Sequence, residues 1–123
     1  MSPLRRIVRL EFNSFYIAGL RDVDVPAGVS GAAFATNRHC INVGCRMWHD
    51  AEIEITLGQH STVERTGQPR LDWSIATPDR QLLLFDANHP ELMRLAVKTR
   101  NTRIRIWTNH PTEPDSVTVL VGD

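Results

Sequence analysis

The sequence predicts an all-β fold: an antiparallel β-sandwich of about seven to eight short strands, with at most one short helix. Three observations predict it. Apolar residues recur at every second position in segment after segment, which is the period of a strand with one buried face. Clusters of Gly, Pro, Asn and Asp separate those segments as turns. No segment sustains the 3.6-residue period of an amphipathic helix, and nothing reads as a βαβ unit.

Taken in order, Val8, Leu10 and Phe12 alternate with Ile7, Arg9 and Glu11, giving a first strand with an inward apolar set. Asn13-Ser14 turns the chain into a second short strand, Phe15 to Ala18. Residues 20–38 are loop-like, because Pro26, Gly28 and Gly31 break any regular element. Ile41, Val43, Cys45 and Met47 share one parity, followed by Ala51, Ile53, Ile55 and Leu57, with Glu52, Glu54 and Thr56 pointing the other way. Residues 58–70 are polar and read as a loop. Leu71, Trp73 and Ile75 alternate again up to the turn Thr77-Pro78-Asp79. Leu82 to Phe85 is apolar on both faces and reads as a central strand. Asn88-His89-Pro90-Glu91 has the chemistry of a capped helix start, and residues 92–98 fit either helical turns or another strand. Ile104, Ile106 and Thr108 alternate with Arg103, Arg105 and Trp107, and Val117, Val119 and Val121 end the pattern. The expected core is Val8, Leu10, Phe12, Ile53, Ile55, Trp73, Leu84, Ile104, Ile106 and Val119. Asn-His-Pro occurs at 88–90 and again at 109–111, each time after a strand, as repeated turn chemistry.

At 123 residues the chain is expected to be a single domain, residues 1–123, with a core large enough to need no metal or disulfide. Net charge is zero, so no global field draws the protein toward nucleic acid or an anionic membrane. Of its 14 basic residues, 13 are arginines, a side chain suited to planar contacts with carboxylates and phosphates. No segment approaches the ~20 apolar residues of a membrane span, and the N-terminus lacks a signal-peptide apolar region. The expected location is cytoplasmic, where thiols stay reduced.

The stretch His39-Cys40-Ile41-Asn42-Val43-Gly44-Cys45-Arg46-Met47-Trp48-His49 holds both cysteines. Zinc needs four ligands converging at about 2.0–2.3 Å. In an extended chain Cys40 and Cys45 face opposite ways, and His39 and His49, which share a face with Cys45, stand roughly 33 Å apart. A Cys40–Cys45 disulfide fails for the same reason, since Cα atoms beyond ~7 Å cannot be bridged. Cys45 is expected to be a small buried hydrophobe, with free thiols, no metal and no cofactor.

No catalytic constellation stands out. His49-Asp50, Glu52 and Glu54 are acid–base residue types, but Glu52 and Glu54 read as an exposed face paired across strands with arginines such as Arg103 and Arg105. The sequence has no nucleophile elbow, phosphate-cradling glycine loop or H-E-x-x-H. Two loops carry more interesting polar chemistry. Thr108 to Asp115 is an acidic connection stiffened by Pro111 and Pro114, and stiff loops lose little entropy on binding. The 20–38 loop carries Asp22 and Asp24. The candidate partner-binding residues are therefore Trp107, His110, Glu113, Asp115, Asp22 and Asp24. Trp107 shares parity with Arg103 and Arg105, so it lies either on an exposed outer face or packed under a loop.

A family resemblance runs through most of the chain. Leu10 to Ile17 leads from a first strand into a short aromatic one, and a long loop of small residues follows. Ile41 to Cys45 precedes a second strong strand, Ile53 to Leu57. A strand closing on Trp107-Thr108 comes next, then a proline-acidic loop and a valine-rich last strand. This order resembles the competence protein J family, small β-sandwich inhibitors of a DNA-entry nuclease. The resemblance implies a bacterial cytosolic protein that blocks a nuclease, or a toxin in a cognate immunity pair, through loops at one end of the sandwich. It implies no catalysis, no direct contact with nucleic acid and no membrane. Glu113 and Asp115 then stand where a nuclease expects phosphate. Two other classes compete: a small β-barrel enzyme using His49, Asp50 or His110, and a structural assembly subunit of a phage or secretion system.

Overall fold

The computed structural model describes residues 3–10, 13–27, 33–45, 52–63, 65 and 67–122. The expected positions of Phe12, Met47, His49, Asp50 and Ala51 lie outside them. The described residues form ten strands and no helix: β1 Leu4–Val8, β2 Ser14–Ala18, β3 Phe34–Thr36, β4 Cys40–Gly44, β5 Ile53–Gln59, β6 Leu71–Ala76, β7 Gln81–Phe85, β8 Met93–Ala96, β9 Asn101–Thr108 and β10 Ser116–Val121. None of them is a helix long and apolar enough to cross a membrane.

Two five-stranded sheets face each other, in the orders β1-β5-β10-β9-β6 and β3-β4-β2-β7-β8. The period-two pattern explains why they pack. In the first sheet Ile53, Ile55, Leu57, Ile104, Ile106, Val117 and Val119 all point inward, and in the second Phe15, Ile17, Ile41, Val43, Leu82 and Leu84 meet them in one cluster. Each such fully buried side chain contributes about 1.5–3 kcal/mol relative to an exposed one. Leu10 is fully buried although β1 ends at Val8, so the apolar alternation outlasts the hydrogen-bonded strand.

Pairing is antiparallel except between β5 and β10, which run parallel with Ser116 opposite Glu54 and Val117 opposite Ile55. This parallel pair sets which loops share an end. The β9–β10 loop, the start of β5 and the end of β1 lie together at what we term the Asp115 end. The β3–β4, β6–β7 and β8–β9 turns lie at the opposite end, the Thr77 end. Gly19 belongs to the latter. A Cβ there would stand 2.6 Å from the Ala76 carbonyl oxygen and 2.7 Å from Thr77 Cα, so only glycine permits this approach of the two sheets.

Loops cover both outer faces. On the second sheet Ala18, Cys40 and Phe85 form a small outer cluster with Tyr16, Val23 and Leu83. The 20–27 segment is held over it by Asn37 Nδ2, which donates to the Asp24 carbonyl, and Asn42 Nδ2, which donates to the Pro26 carbonyl, both at 2.9 Å. On the first sheet Val63 lies over Gly58, where a Cβ would stand 3.3 Å from Val63 Cγ2.

Three sequence expectations need correction here. Trp73 has inward parity, but it sits on the edge strand β6 and stays 39% exposed, with Nε1 donating to the Asn37 carbonyl. The helix start at Asn88 is absent. Asp86 caps the turn instead: its Oδ1 accepts from the Asn88 and His89 N–H groups at 3.0 and 2.6 Å, and Leu92 N–H then donates to the Leu84 carbonyl, drawing Met93 and Leu95 into the sheet. Glu52 and Glu54 do form cross-strand pairs, but with Arg9 and Arg5, while Arg103 pairs with Asp72.

Candidate functional site: an acidic hollow at the Asp115 end

Because Ile53, Ile55 and Leu57 take the inner face of β5, Glu52 and Glu54 project outward. β1 sets Ile7 opposite Glu54 on one side, and parallel β10 sets Ser116 opposite it on the other. The Glu54 N–H donates to the Asp115 carbonyl at 2.9 Å, tying the β9–β10 loop to the same spot. The result is a shallow hollow of about 370 Å³ lined by Ile7, Glu52, Glu54, Asp115 and Ser116. Ile7 is 57% exposed, an apolar residue among three carboxylates.

The ion pairs there are loose. Arg5 Nε to Glu54 and Arg9 Nη2 to Glu52 both measure 3.8 Å on exposed side chains. Pairs of this kind contribute about 0–1 kcal/mol, so an incoming cation can replace the arginine at little cost. The loop beside the hollow is firmly built. Asn109 Nδ2 donates to Asp115 Oδ1 at 2.5 Å, and Asn109 Oδ1 accepts the Asp115 and Ser116 N–H groups at 3.1 and 3.2 Å. His110 Nδ1 accepts the Thr112 and Glu113 N–H groups at 3.2 and 2.9 Å, which makes this ring a turn cap. Glu113 is exposed on the same loop.

Trp107 belongs elsewhere. It is 7% exposed and lies on the outer face of β9 beneath His60, Arg65 and Gly67, stacked at 14° on His60 with ring centroids 6.4 Å apart. Arg65 stands over the ring at 6.0 Å, and Trp107 Nε1 donates to the Gly67 carbonyl at 3.3 Å. Of the two placements open in the sequence, packing under a loop is the one found. Asp22 and Asp24 are also apart from the hollow, since Asn37 of the β3–β4 turn binds the Asp24 carbonyl at the Thr77 end. The six candidate residues therefore do not share one end of the sandwich. Of the six, Asp115 lines the hollow with Ile7, Glu52 and Glu54, while His110 and Glu113 stand on the same loop.

Sequence reading missed that triad. The parity of β1 already placed Ile7 outward among charged residues, which was the available signal. The parallel β5–β10 register that completes the hollow has no signature in a single sequence.

The two thiols are free, and burial governs both. Cys45, on the inner face, is pushed up to about 12 by burial. Cys40, on the outer face, is raised to about 11 by burial, opposed by a hydrogen bond from the Ile17 backbone. His39 is exposed in the β3–β4 turn at the far end of β4 from Cys45, so the two stand apart. Among the described residues no group of three or more His, Cys, Asp or Glu side chains is arranged to hold a metal ion.

The fold has a known counterpart. The crystal structure of ComJ from Bacillus subtilis, described as inhibitor of the DNA degrading activity of NucA, superposes with a TM-score of 0.56 at 11% identity, covering 98% of this chain and 96% of that one. This chain has a ComJ-like fold. A protein described as crocagin biosynthetic gene J matches with a TM-score of 0.49 at 11% identity, over 97% of this chain and 95% of that one. No protein-family model matches the chain, and no curated protein matches it in sequence.

Proposed function

We propose that this protein is a non-catalytic inhibitor that binds a nuclease, and that the acidic hollow at the Asp115 end is its contact surface. The observation that carries the reading is the grouping of Glu52, Glu54 and Asp115 around exposed Ile7, on a fold shared with a protein described as a nuclease inhibitor. A nuclease holds phosphate with cationic groups, and carboxylates projecting from a rigid scaffold can occupy those groups in its place. Ile7 supplies an apolar anchor at the centre, and the Asn109 and His110 caps keep the loop ordered before binding. A toxin with nuclease activity, paired with this chain as its immunity protein, fits the same chemistry.

The enzyme alternative finds less support. His110 Nδ1 is occupied by two backbone N–H groups, and His49 and Asp50 lie outside the described residues. Nothing in the geometry favours an assembly subunit.

The test is a DNA-degradation assay with the DNA-entry nuclease of the same host. Inhibition should saturate near one chain per nuclease. Glu54→Ala/Asp115→Ala should weaken it at least tenfold while melting within a few degrees of the parent. Full nuclease activity at tenfold molar excess of this chain would end the proposal.

A further inference from the structure

The strap of residues 20–27 lies on the second sheet without belonging to it. Among the described residues its backbone makes no hydrogen bond to other backbone. Two side-chain donors hold it instead: Asn37 Nδ2 on the Asp24 carbonyl and Asn42 Nδ2 on the Pro26 carbonyl. Its own side chains add little. Leu20 and Val25 are each 37% exposed, Arg21, Asp22 and Asp24 are exposed, and Val23 is the strap residue that packs into the outer cluster. No ion pair ties the strap down among the described residues. The sheet beneath is closed without it, because β2 pairs with β4 from Ser14 to Ala18 and with β7 from Tyr16 to Ala18.

What the strap covers is equally definite. Its two anchors bracket Cys40 in the chain, Asn37 before it and Asn42 after it, and Asn42 shares the outer face of β4 with Cys40. The strap passes between these anchors, and the Cys40 side chain beneath is fully buried although it points away from the main core. Around it lie Ala18, Leu83, Tyr16 and Phe85, the last two meeting edge to face with ring centroids 5.5 Å apart. Cys45 is the contrasting case. It sits in the main core between the two sheets, so solvent reaches it only when they separate.

We propose that the strap is a cover that opens as a unit while both sheets stay paired, latched by Asn37 and Asn42. In the open form the outer face around Cys40, Tyr16, Leu83 and Phe85 meets solvent in an otherwise folded protein. A segment with few buried apolar contacts and few backbone hydrogen bonds opens at a far smaller free energy than the core it covers. Two hydrogen bonds and one valine are such a set, whereas the facing sheets are joined by the whole inner cluster. The inference is independent of the nuclease-inhibitor reading, because the acidic hollow lies on the other sheet.

The experiment is alkylation of the full chain by excess iodoacetamide at pH 8, sampled over hours and read at each cysteine by fragmentation mass spectrometry. Cys40 should be modified at least tenfold faster than Cys45. Its rate should stay flat as urea rises below the unfolding transition, while that of Cys45 climbs in step with global unfolding. Asn42→Ala removes one of the two latches and should speed Cys40 about two- to tenfold, the equivalent of one hydrogen bond. Val23→Ala, on the strap itself, should speed Cys40 as well. Ile55→Val separates the strap from the fold, because it weakens the closed and open forms alike. It should speed Cys45 about two- to tenfold and leave Cys40 at the parent rate. Equal rates for the two thiols, or a Cys40 rate that follows Ile55→Val as closely as Cys45 does, would overturn the proposal. A Cys40 rate that neither Asn42→Ala nor Val23→Ala moves would overturn it too.

Discussion

Truncating Trp107 to alanine tests whether this residue is core or contact surface. The side chain is 7% exposed, so nearly all of an aromatic's area is removed from water. Buried aromatics conceal about 150–250 Å². At about 25 cal/mol per Å², exposing that area costs about 4–6 kcal/mol, with tryptophan at the upper end. The substitution also frees the Gly67 carbonyl and deprives His60 and Arg65 of the ring they lie on. One effect opposes these losses: the cover is a loop, and it can settle into the gap more readily than a strand could. We therefore expect about 3–5 kcal/mol for Trp107→Ala, the usual range for such truncations. A 123-residue domain has only about 6–18 kcal/mol in total, so the loss is conspicuous. Trp107→Phe keeps the packing and loses the N–H; its hydrogen bond is long at 3.3 Å, so about 1 kcal/mol is expected. Urea unfolding followed by far-UV circular dichroism measures both, provided the slope with denaturant is unchanged. A Trp107→Ala loss below about 1 kcal/mol would show that the loop does not seal this face, and would return Trp107 to the list of surface anchors.

Two further outcomes follow from the electrostatics. Burial raises Cys45 to about 12 and Cys40 to about 11, so both thiols stay protonated at pH 8 and should react with a disulfide reagent only as fast as the protein opens; labelling within minutes in the absence of denaturant would contradict this. Asp72 lies below the usual carboxylate range, chiefly because Arg103 hydrogen-bonds it, so its pair stabilises the fold above the unfolded-state value near 3.9 and the contribution is lost as pH falls through the lowered folded value. The pair is exposed and contributes about 0.2–1 kcal/mol, so Asp72→Asn should remove a small part of the acid sensitivity, and an unchanged acid-unfolding curve would refute the role.

The sandwich was legible because its inner faces follow a strict period of two, and Ile53-Ile55-Leu57 and Ile104-Ile106 cannot be read otherwise. Trp73 shows where such reading stops. Parity assigns a face, but only topology tells whether a strand lies at the centre or the edge of a sheet. The false helix start had a similar cause. Asn88-His89-Pro90 does form a cap-like turn, but the Leu84 carbonyl captures Leu92 N–H, and tertiary pairing outweighs local propensity. Of the candidate site, the turn chemistry around Asn109 and His110 was visible in sequence. The company of Asp115 was not, because it depends on a parallel strand sixty residues away in the chain.

Summed charge was the least informative quantity in the sequence. A net charge of zero describes the field only at distances where the molecule is a point. Its strands are five to eight residues long through most of both sheets, a span of roughly 16–26 Å at about 3.3 Å per residue. The Debye length at 0.1 M salt is about 10 Å, so the carboxylates of Glu52, Glu54 and Asp115 screen little of the field around Lys98 and Arg100. Each end acts on its own surroundings. The two ends are thus electrically separate, and the carboxylates of the hollow present their own local field to an incoming cationic group. For a cationic group steered by that field, added salt should slow association, because the carboxylates and their loose pairs with Arg5 and Arg9 are exposed to solvent.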